Sequence, residues 1–391
     1  MTGPTPPDIL LPFSDDSTLF FAQAMRALLA PLPCRTRLAL LTEGAALSPR
    51  QLAALPHGPD LTLNGGDLAG GSGGALAGGS GGDLTGRSGG DLASGPALAG
   101  VDAIVTARMF PPLQALLGYD GPDAPLRPVS RPPARPVVVS FQGGLDFTPE
   151  RGFAHRHAAD AVFVVPRGQV AACRTWRRRV GAGPQIVDFG HPAFLAPQIL
   201  QRDVAQALEP PRDIYFFAQA ISPLTRASRR HIVEVLAALA RRHPDRTVWI
   251  KLRHLPGENA DHLHRERHDY PGLLAGLADA PPNLALTACP MAEAMAGAAR
   301  GITCTSTAAA DLVQAGVPTQ IYVDYVENYL DPLMPPMRRL FGASGLVASL
   351  DEVLHGVVRA PDPDWLADMF CPRDLGERVL AAIAAARGSA G

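Results

Sequence analysis

The sequence is short of the features that mark out whole classes of protein. No window of its 391 residues approaches the roughly twenty apolar residues a bilayer-spanning helix needs. Met1 to Pro7 lacks a basic start and a long apolar core, so it does not read as a secretory signal. The five cysteines (Cys34, Cys173, Cys289, Cys304 and Cys371) are scattered, and no two form a C-x-x-C pair. That argues against a disulfide framework and a zinc site, and suits a reducing cytoplasm. Charged residues make up only 18% of the chain and the formal net charge is −2, so neither nucleic acid nor an acidic membrane is the expected main partner. There is no G-x-x-x-x-G-K-[ST] loop, no G-x-G-x-x-G after the first strand and no G-x-S-x-G elbow. ATP hydrolysis, dehydrogenation and ester hydrolysis lose their usual support, and no cofactor is expected.

What is present is a hydrophobic content of 47% on a chain long enough for two domains. The first half opens with an apolar run at Asp8 to Phe13, the polar Ser14-Asp-Asp-Ser17, and helical spacing over Leu19 to Leu29. Strand, polar turn and helix make the start of an α/β unit. Further strands are expected at Arg37 to Leu41, Val101 to Thr106, Val137 to Phe141, Ala161 to Val165 and Gln185 to Phe189. Between them, residues 65–100 carry an octapeptide repeat (GGDLAGGS, GGALAGGS, GGDLTGRS, GGDLASG). Glycine this dense costs more ordering entropy than one leucine per repeat offsets, and the spacing is not that of a calcium-binding roll. A disordered Gly-rich insertion is expected there.

After a hinge near Gly190 to Arg212 a second α/β series runs to the C-terminus. Strands are expected at Ile214 to Ala218, Thr247 to Leu252, Leu284 to Thr287, Gly301 to Thr305 and Val317 to Val323, with helices between them. The expected architecture is therefore two doubly wound, Rossmann-like domains facing a cleft: residues 1–205, holding the insertion, and residues 206–391.

Ligands of such sheets sit at the carboxyl ends of the strands. In the second half that edge carries Lys251, Arg253 and His254, ending a strand that turns basic only at its tip. It also carries Ser306 and Thr307, placed to begin a helix that Gly316 ends. Backbone N–H groups and the dipole of a helix start favour negative charge, so this pair is a candidate phosphate cradle or simply a helix cap. Basic side chains beside it suit a phosphate leaving group. Glu258 and Asp324 near the same edge are candidates for sugar hydroxyls, or for loop caps.

In the first half, Asp15 and Asp16 lie in the first strand-to-helix turn, and Gly143, Gly144 and Asp146 follow another strand. Asp16 or Asp146 could take a proton from an acceptor hydroxyl, while one of the Asp15-Asp16 pair is better explained as an N-cap. His155, His157 and the His262-to-His268 stretch lack converging partners, so no metal site is expected. Asp362-Pro-Asp364 reads as a linker.

The second half resembles the GT-B glycosyltransferases, and most of all a bacterial group of predicted glycosyltransferases distantly similar to capsule sialyl- and Kdo-transferases. The residues that carry this are Ile250-Lys-Leu-Arg-His254 with Gly257-Glu258, Ala288-Cys-Pro-Met291, Thr305-Ser-Thr-Ala-Ala309 and Ala315-Gly-Val-Pro-Thr319. In the sialyltransferase-like enzymes a His-Pro pair and a Ser/Thr pair hold the nucleotide phosphate. Ser306-Thr307 matches the second, whereas His254 is followed by Leu255 and His243-Pro244 lies before the strand. The acidic base motif of those enzymes has no counterpart.

The implied function is a metal-independent, cytoplasmic glycosyltransferase in surface glycan or polysaccharide synthesis. Its donor would be a nucleotide-linked sugar and its acceptor a glycan or lipid-linked hydroxyl, with peripheral attachment at the inner face of the membrane left open. A nucleotide-sugar epimerase on the same fold and a non-catalytic glycan- or nucleotide-binding partner are the alternatives.

Overall fold

A computed structural model of the chain describes residues 5–42, 45–53, 55, 58–64, 67, 98–117, 135–142, 149–197, 213–262 and 264–388. The repeat lies almost wholly outside them, as do Gly143, Gly144 and Asp146. The chain divides into two compact units.

The first unit is built on a seven-stranded sheet in the order β3-β2-β1-β4-β5-β6-β7. Its strands are β1 (Asp8–Phe13), β2 (Arg35–Leu41), β3 (Leu61–Leu63), β4 (Ala103–Thr106), β5 (Val137–Gln142), β6 (Ala161–Val164) and β7 (Ile186–Phe189). All pairings are parallel. Parallel strands are covered on both faces, which is why β4, β5 and β6, apart from the terminal Gln142, read as apolar or small residues and are buried throughout. Helix Asp16–Leu29 lays Leu19, Ala22, Met25 and Leu29 on the core.

The second unit holds a six-stranded sheet in the order β10-β9-β8-β11-β12-β13. Its strands are β8 (Asp213–Phe217), β9 (Val248–Lys251), β10 (Leu284–Thr287), β11 (Ala298–Thr303), β12 (Thr319–Tyr322) and β13 (Val347–Ala348), again all parallel. Helix Arg226–Arg242 packs Ile232, Val233, Leu236, Leu239 and Ala240 into the core formed with Ile214, Phe216, Val248 and Ile250. Gly316, in the left-handed region at φ 65, follows helix Ala308–Gln314 as expected.

Both sheets are thus doubly wound, as expected. The division of the chain differs from the expected one. Helix Leu375–Gly388 belongs to the first unit, packed on β5 and on helix Asp16–Leu29, and residues from 193 onward already belong to the second. Gly376 permits that return: a Cβ there would stand 2.7 Å from the Leu28 carbonyl oxygen. Asp362 is no linker residue but the N-cap of helix Pro363–Met369, its carboxylate accepting from the Asp364 and Trp365 amides at 2.9 Å.

Candidate functional site

Each sheet has one place where the strand order reverses. In the second unit it lies between β8 and β11, which run side by side while the chain first builds outward through β9 and β10. Loops leaving adjacent strands there diverge and open a crevice beyond the carboxyl edge. Lys251, the last residue of β9 and the sole lysine of the chain, is in register with Phe217 of β8, and so is Thr303 at the end of β11. Two strand spacings, roughly 10 Å, therefore separate the basic strand tip from the segment entering Ser306-Thr307. Both features lie beyond the same edge, as the sequence pattern required.

The loops at the reversal are tied from beneath by buried polar groups. Arg229, fully buried on helix Arg226–Arg242, donates to the carbonyls of Pro223 (2.8 Å), Gln219 (2.9 Å) and Ala220 (2.5 Å) and pairs with Glu266. It thereby fastens the loop after β8 to the one after β9. A second knot joins the loops after β8, β11 and β12. The Gln219 amide donates to the Thr305 carbonyl at 2.9 Å, the Thr305 hydroxyl donates to Ser222, and Ser222 donates to the Asp331 carboxylate. Tyr325 donates to the same carboxylate oxygen at 2.5 Å, and the Leu333 amide to the other at 2.9 Å. None of Arg229, Gln219, Ser222, Tyr325 and Asp331 stood out in the sequence. A serine before a proline and an aspartate before a proline have no pattern of their own.

The expected donor-side residues fare differently. Lys251 is half-buried, with its ammonium donating to the Leu252 carbonyl at 3.0 Å, and Arg253 is half-buried beside it. Ser306 accepts the Ala308 amide on its hydroxyl at 3.1 Å. Thr307 occupies the cap position with helical angles and makes no side-chain cap bond, so capping does not account for its hydroxyl. Helix Ala308–Gln314 has only seven residues.

His254 is not a third surface cation. It is 2% exposed, 3.1 Å from Asn259 Oδ1 through Nε2, and stacked on His262 with ring centroids 4.3 Å apart. Burial first, and then the His262 ring, hold its pKa below the ordinary histidine value. Glu258 closes a turn by accepting the Leu255 amide at 3.0 Å. Asp324 is exposed just past β12, where its carbonyl accepts the Tyr322 hydroxyl at 2.7 Å.

In the first unit the reversal lies between β1 and β4. Asp15 is the N-cap of helix Asp16–Leu29: one carboxylate oxygen accepts the Thr18 amide (2.9 Å) and hydroxyl (3.0 Å), the other the Arg108 guanidinium (2.8 Å). It reads as a structural cap and not as a group facing an acceptor. Asp16 is 3% exposed and accepts the Ser17 amide at 2.9 Å. His191, which follows β7 in Gly190-His191-Pro192, passed unnoticed in the sequence. Its ring lies 5.6 Å from Phe21 and 6.0 Å from Phe141, and burial together with the Arg156 charge pushes its pKa down to about 3. Among the described residues no three His, Cys, Asp or Glu side chains converge as metal ligands. No described helix is long and apolar enough to cross a membrane.

Residues 13–386 match the protein family described as "Putative glycosyltransferase (DUF6716)". The chain belongs to this family. Among solved structures it is similar to a "putative UDP-N-acetylglucosamine 2-epimerase" from Listeria monocytogenes, at 12% identity and a TM-score of 0.55, over 98% of this chain and 97% of that one. It is likewise similar to S. aureus MnaA solved with UDP, at 8% identity and a TM-score of 0.56, over 96% and 95% of the two chains. A third similar structure, Acinetobacter baumannii MurG, has 14% identity and a TM-score of 0.48 over 97% and 100%. No curated protein matches. At such identities the first two likenesses speak for the fold, and they agree with the two doubly wound sheets of a GT-B-like architecture.

Proposed function

We propose that this member of the family transfers a sugar from a nucleotide-activated donor to a hydroxyl acceptor, and that the second unit holds the donor. The carrying observation is the shared register of Lys251 and Thr303 with Phe217, which brings a basic strand tip and the Ser306-Thr307 turn to one reversal point. Ligands of open α/β sheets gather at such points. Lys251 and Arg253 suit the charge of a phosphate leaving group, with Ser306 and Thr307 offering hydroxyls and backbone amides. Asp324, exposed past β12, is proposed to meet a hydroxyl of the donor. Glu258 has a weaker claim because it already closes a turn, and His254 acts by supporting the loop.

The base is assigned to Asp16 or Asp146, the latter outside the described residues. Asp16 stands buried in the first turn of helix Asp16–Leu29, at the carboxyl end of β1. The reaction is proposed to run without a metal, and the acceptor to be a glycan or its lipid-linked precursor in surface polysaccharide synthesis. It would take place in the cytoplasm, at the inner face of the membrane where the acceptor is lipid-linked. A donor like that of the capsule sialyl- and Kdo-transferases, linked to CMP, is one option. A UDP-linked donor, suggested by the UDP bound to MnaA, is the other.

Calorimetric titration with UDP, CMP and the other nucleotides, followed by turnover of the matching sugar conjugates, tests this. Lys251→Ala and Ser306→Ala should each weaken nucleotide affinity roughly tenfold, the size of one charge-assisted contact. Unchanged affinity in both would refute the donor site. Epimerised nucleotide sugar without an acceptor, or binding without turnover, would replace the transferase reading with an epimerase or a binding partner.

A further inference from the structure

We propose that Asp331 is the positioning residue of the donor site. On this view its buried carboxylate sets, through Ser222 and Thr305, the spacing of the loops that carry the nucleotide contacts. The inference rests on the reading of the donor site given above.

The first ground is where the carboxylate stands. Asp331 is 2% exposed, and Ser222 and Thr305 are fully buried. No ion pair is formed by Asp331 among the described residues. A buried anion is costly unless hydrogen bonds compensate it, and this one takes three: from the Ser222 hydroxyl, the Tyr325 hydroxyl and the Leu333 amide. Apolar side chains could have held the loops apart at no such cost. What they could not supply is direction.

The second ground is the polarity of the chain of hydroxyls. An ionised carboxylate only accepts, so the Ser222 proton points at Asp331 and the Ser222 oxygen is left to accept from Thr305. The Thr305 carbonyl in turn takes the Gln219 amide at 2.9 Å. One charge thus orients donors in three loops, those after β8, β11 and β12. Ser306 and Thr307 follow Thr305 directly. A shift of the loop after β11 therefore moves the proposed phosphate contacts with it, and site geometry is sensitive to displacements of about an ångström. Tyr325 leans on the same oxygen, and its burial pushes its own pKa well above the ordinary tyrosine value, so it stays a donor.

A structural tie alone would lower the melting temperature of a variant and leave the affinity of the folded protein untouched. A positioning role changes affinity at temperatures where the variant is fully folded. Asp331→Asn keeps the shape but replaces one carboxylate oxygen with a donor, so either the Leu333 amide loses its acceptor or the order of the hydroxyl protons reverses. Ser222→Ala cuts the link between Asp331 and Thr305 and leaves Tyr325 bonded.

The experiment is a double-mutant cycle on these two positions in the full-length chain, read as the dissociation constant for UDP and CMP, with melting curves alongside. Each single variant should bind the preferred nucleotide roughly tenfold more weakly. The double variant should be no weaker than the worse single by more than about twofold, because the two residues act along one path. Any sugar-transfer assay should then show the loss in KM for donor more than in kcat. If Asp331→Asn does not fold, Ser222→Ala and Thr305→Val decide the matter by the same affinity measurement. Wild-type affinity in the folded variants, or fully additive losses, would overturn the positioning role while leaving the donor site standing. Failure of the wild-type chain to bind any nucleotide would overturn both.

Discussion

The two sheets reverse direction at corresponding places, after their first and fourth strands, and the two reversals are built with opposite chemistry. At β1/β4 an aspartate is spent on capping and neutralised by an arginine: Asp15 takes the Thr18 amide on one side and Arg108 on the other. At β8/β11 the buried groups are hydroxyls, one carboxylate and the Arg229 guanidinium, joined by the half-buried Gln219 amide, while further basic side chains stand at the strand tip alongside. The first arrangement stabilises a helix start and uses up its charge. The second places positive side chains at an edge whose loops are fixed from below, which is what a site for an anionic ligand requires.

The comparison is broken most severely at Arg229. Its guanidinium is the only group described that holds both the β8 loop and the Glu266 carboxylate, and both partners are buried. Arg229→Met should cost the second unit about 3–5 kcal/mol by leaving the acid and four carbonyls without their donor. Urea unfolding followed by far-UV circular dichroism should resolve an early transition for the second unit, with the first unit unfolding as in the wild type. A single transition at the wild-type midpoint would contradict this.

Next in size is the closing helix of the first unit. Gly376→Ala places a methyl 2.7 Å from the Leu28 carbonyl oxygen, on a backbone that cannot yield without moving helix Asp16–Leu29. An expected loss of about 1–3 kcal/mol, measured by thermal or chemical unfolding, follows from overpacking. Nucleotide affinity should not change, since the proposed donor contacts lie in the other unit.

Asp15→Ala should cost about 1 kcal/mol, the usual worth of an N-cap, and likewise leave nucleotide affinity alone. A loss of turnover far beyond the loss of stability would instead make Asp15 part of the chemistry and erase the contrast between the two reversals.

How far the sequence foretold all this depends on the kind of signal. Apolar runs such as Val137 to Phe141 and helical spacing such as Leu19 to Leu29 gave the strands and helices, because burial on both faces writes itself into composition. Lys251 and Ser306 were legible because a polar residue at the end of an apolar strand stands out. His254 was misjudged for the same reason: its charge was read from its residue type, while the stacking on His262 that buries it joins residues eight positions apart through a loop. Asp331 and Ser222 were invisible, since 109 residues separate them and only the folded sheet brings them together. The return of helix Leu375–Gly388 to the first unit is likewise a long-range event, marked locally by nothing but one glycine.

The smallest effect expected is a pH dependence, and both units contribute to it. His191 in the first unit and His254 in the second both have pKa values lowered by burial, to about 3 for His191. The unfolded chain then binds more protons than the folded one at any pH between the lowered value and the ordinary value near 6.5. Stability is therefore fully present above about pH 6.5 and falls as the medium is acidified through that window, down to about pH 3 for His191. Replacing His191 with Phe, which matches the aromatic neighbours Phe21 and Phe141, removes the proton without opening a cavity. Unfolding midpoints measured from pH 7 to pH 4 should fall less steeply in His191→Phe than in wild type. Equal slopes would mean that His191 is protonated as readily in the folded chain as in the unfolded one, and that the aromatic pocket at the end of β7 admits water.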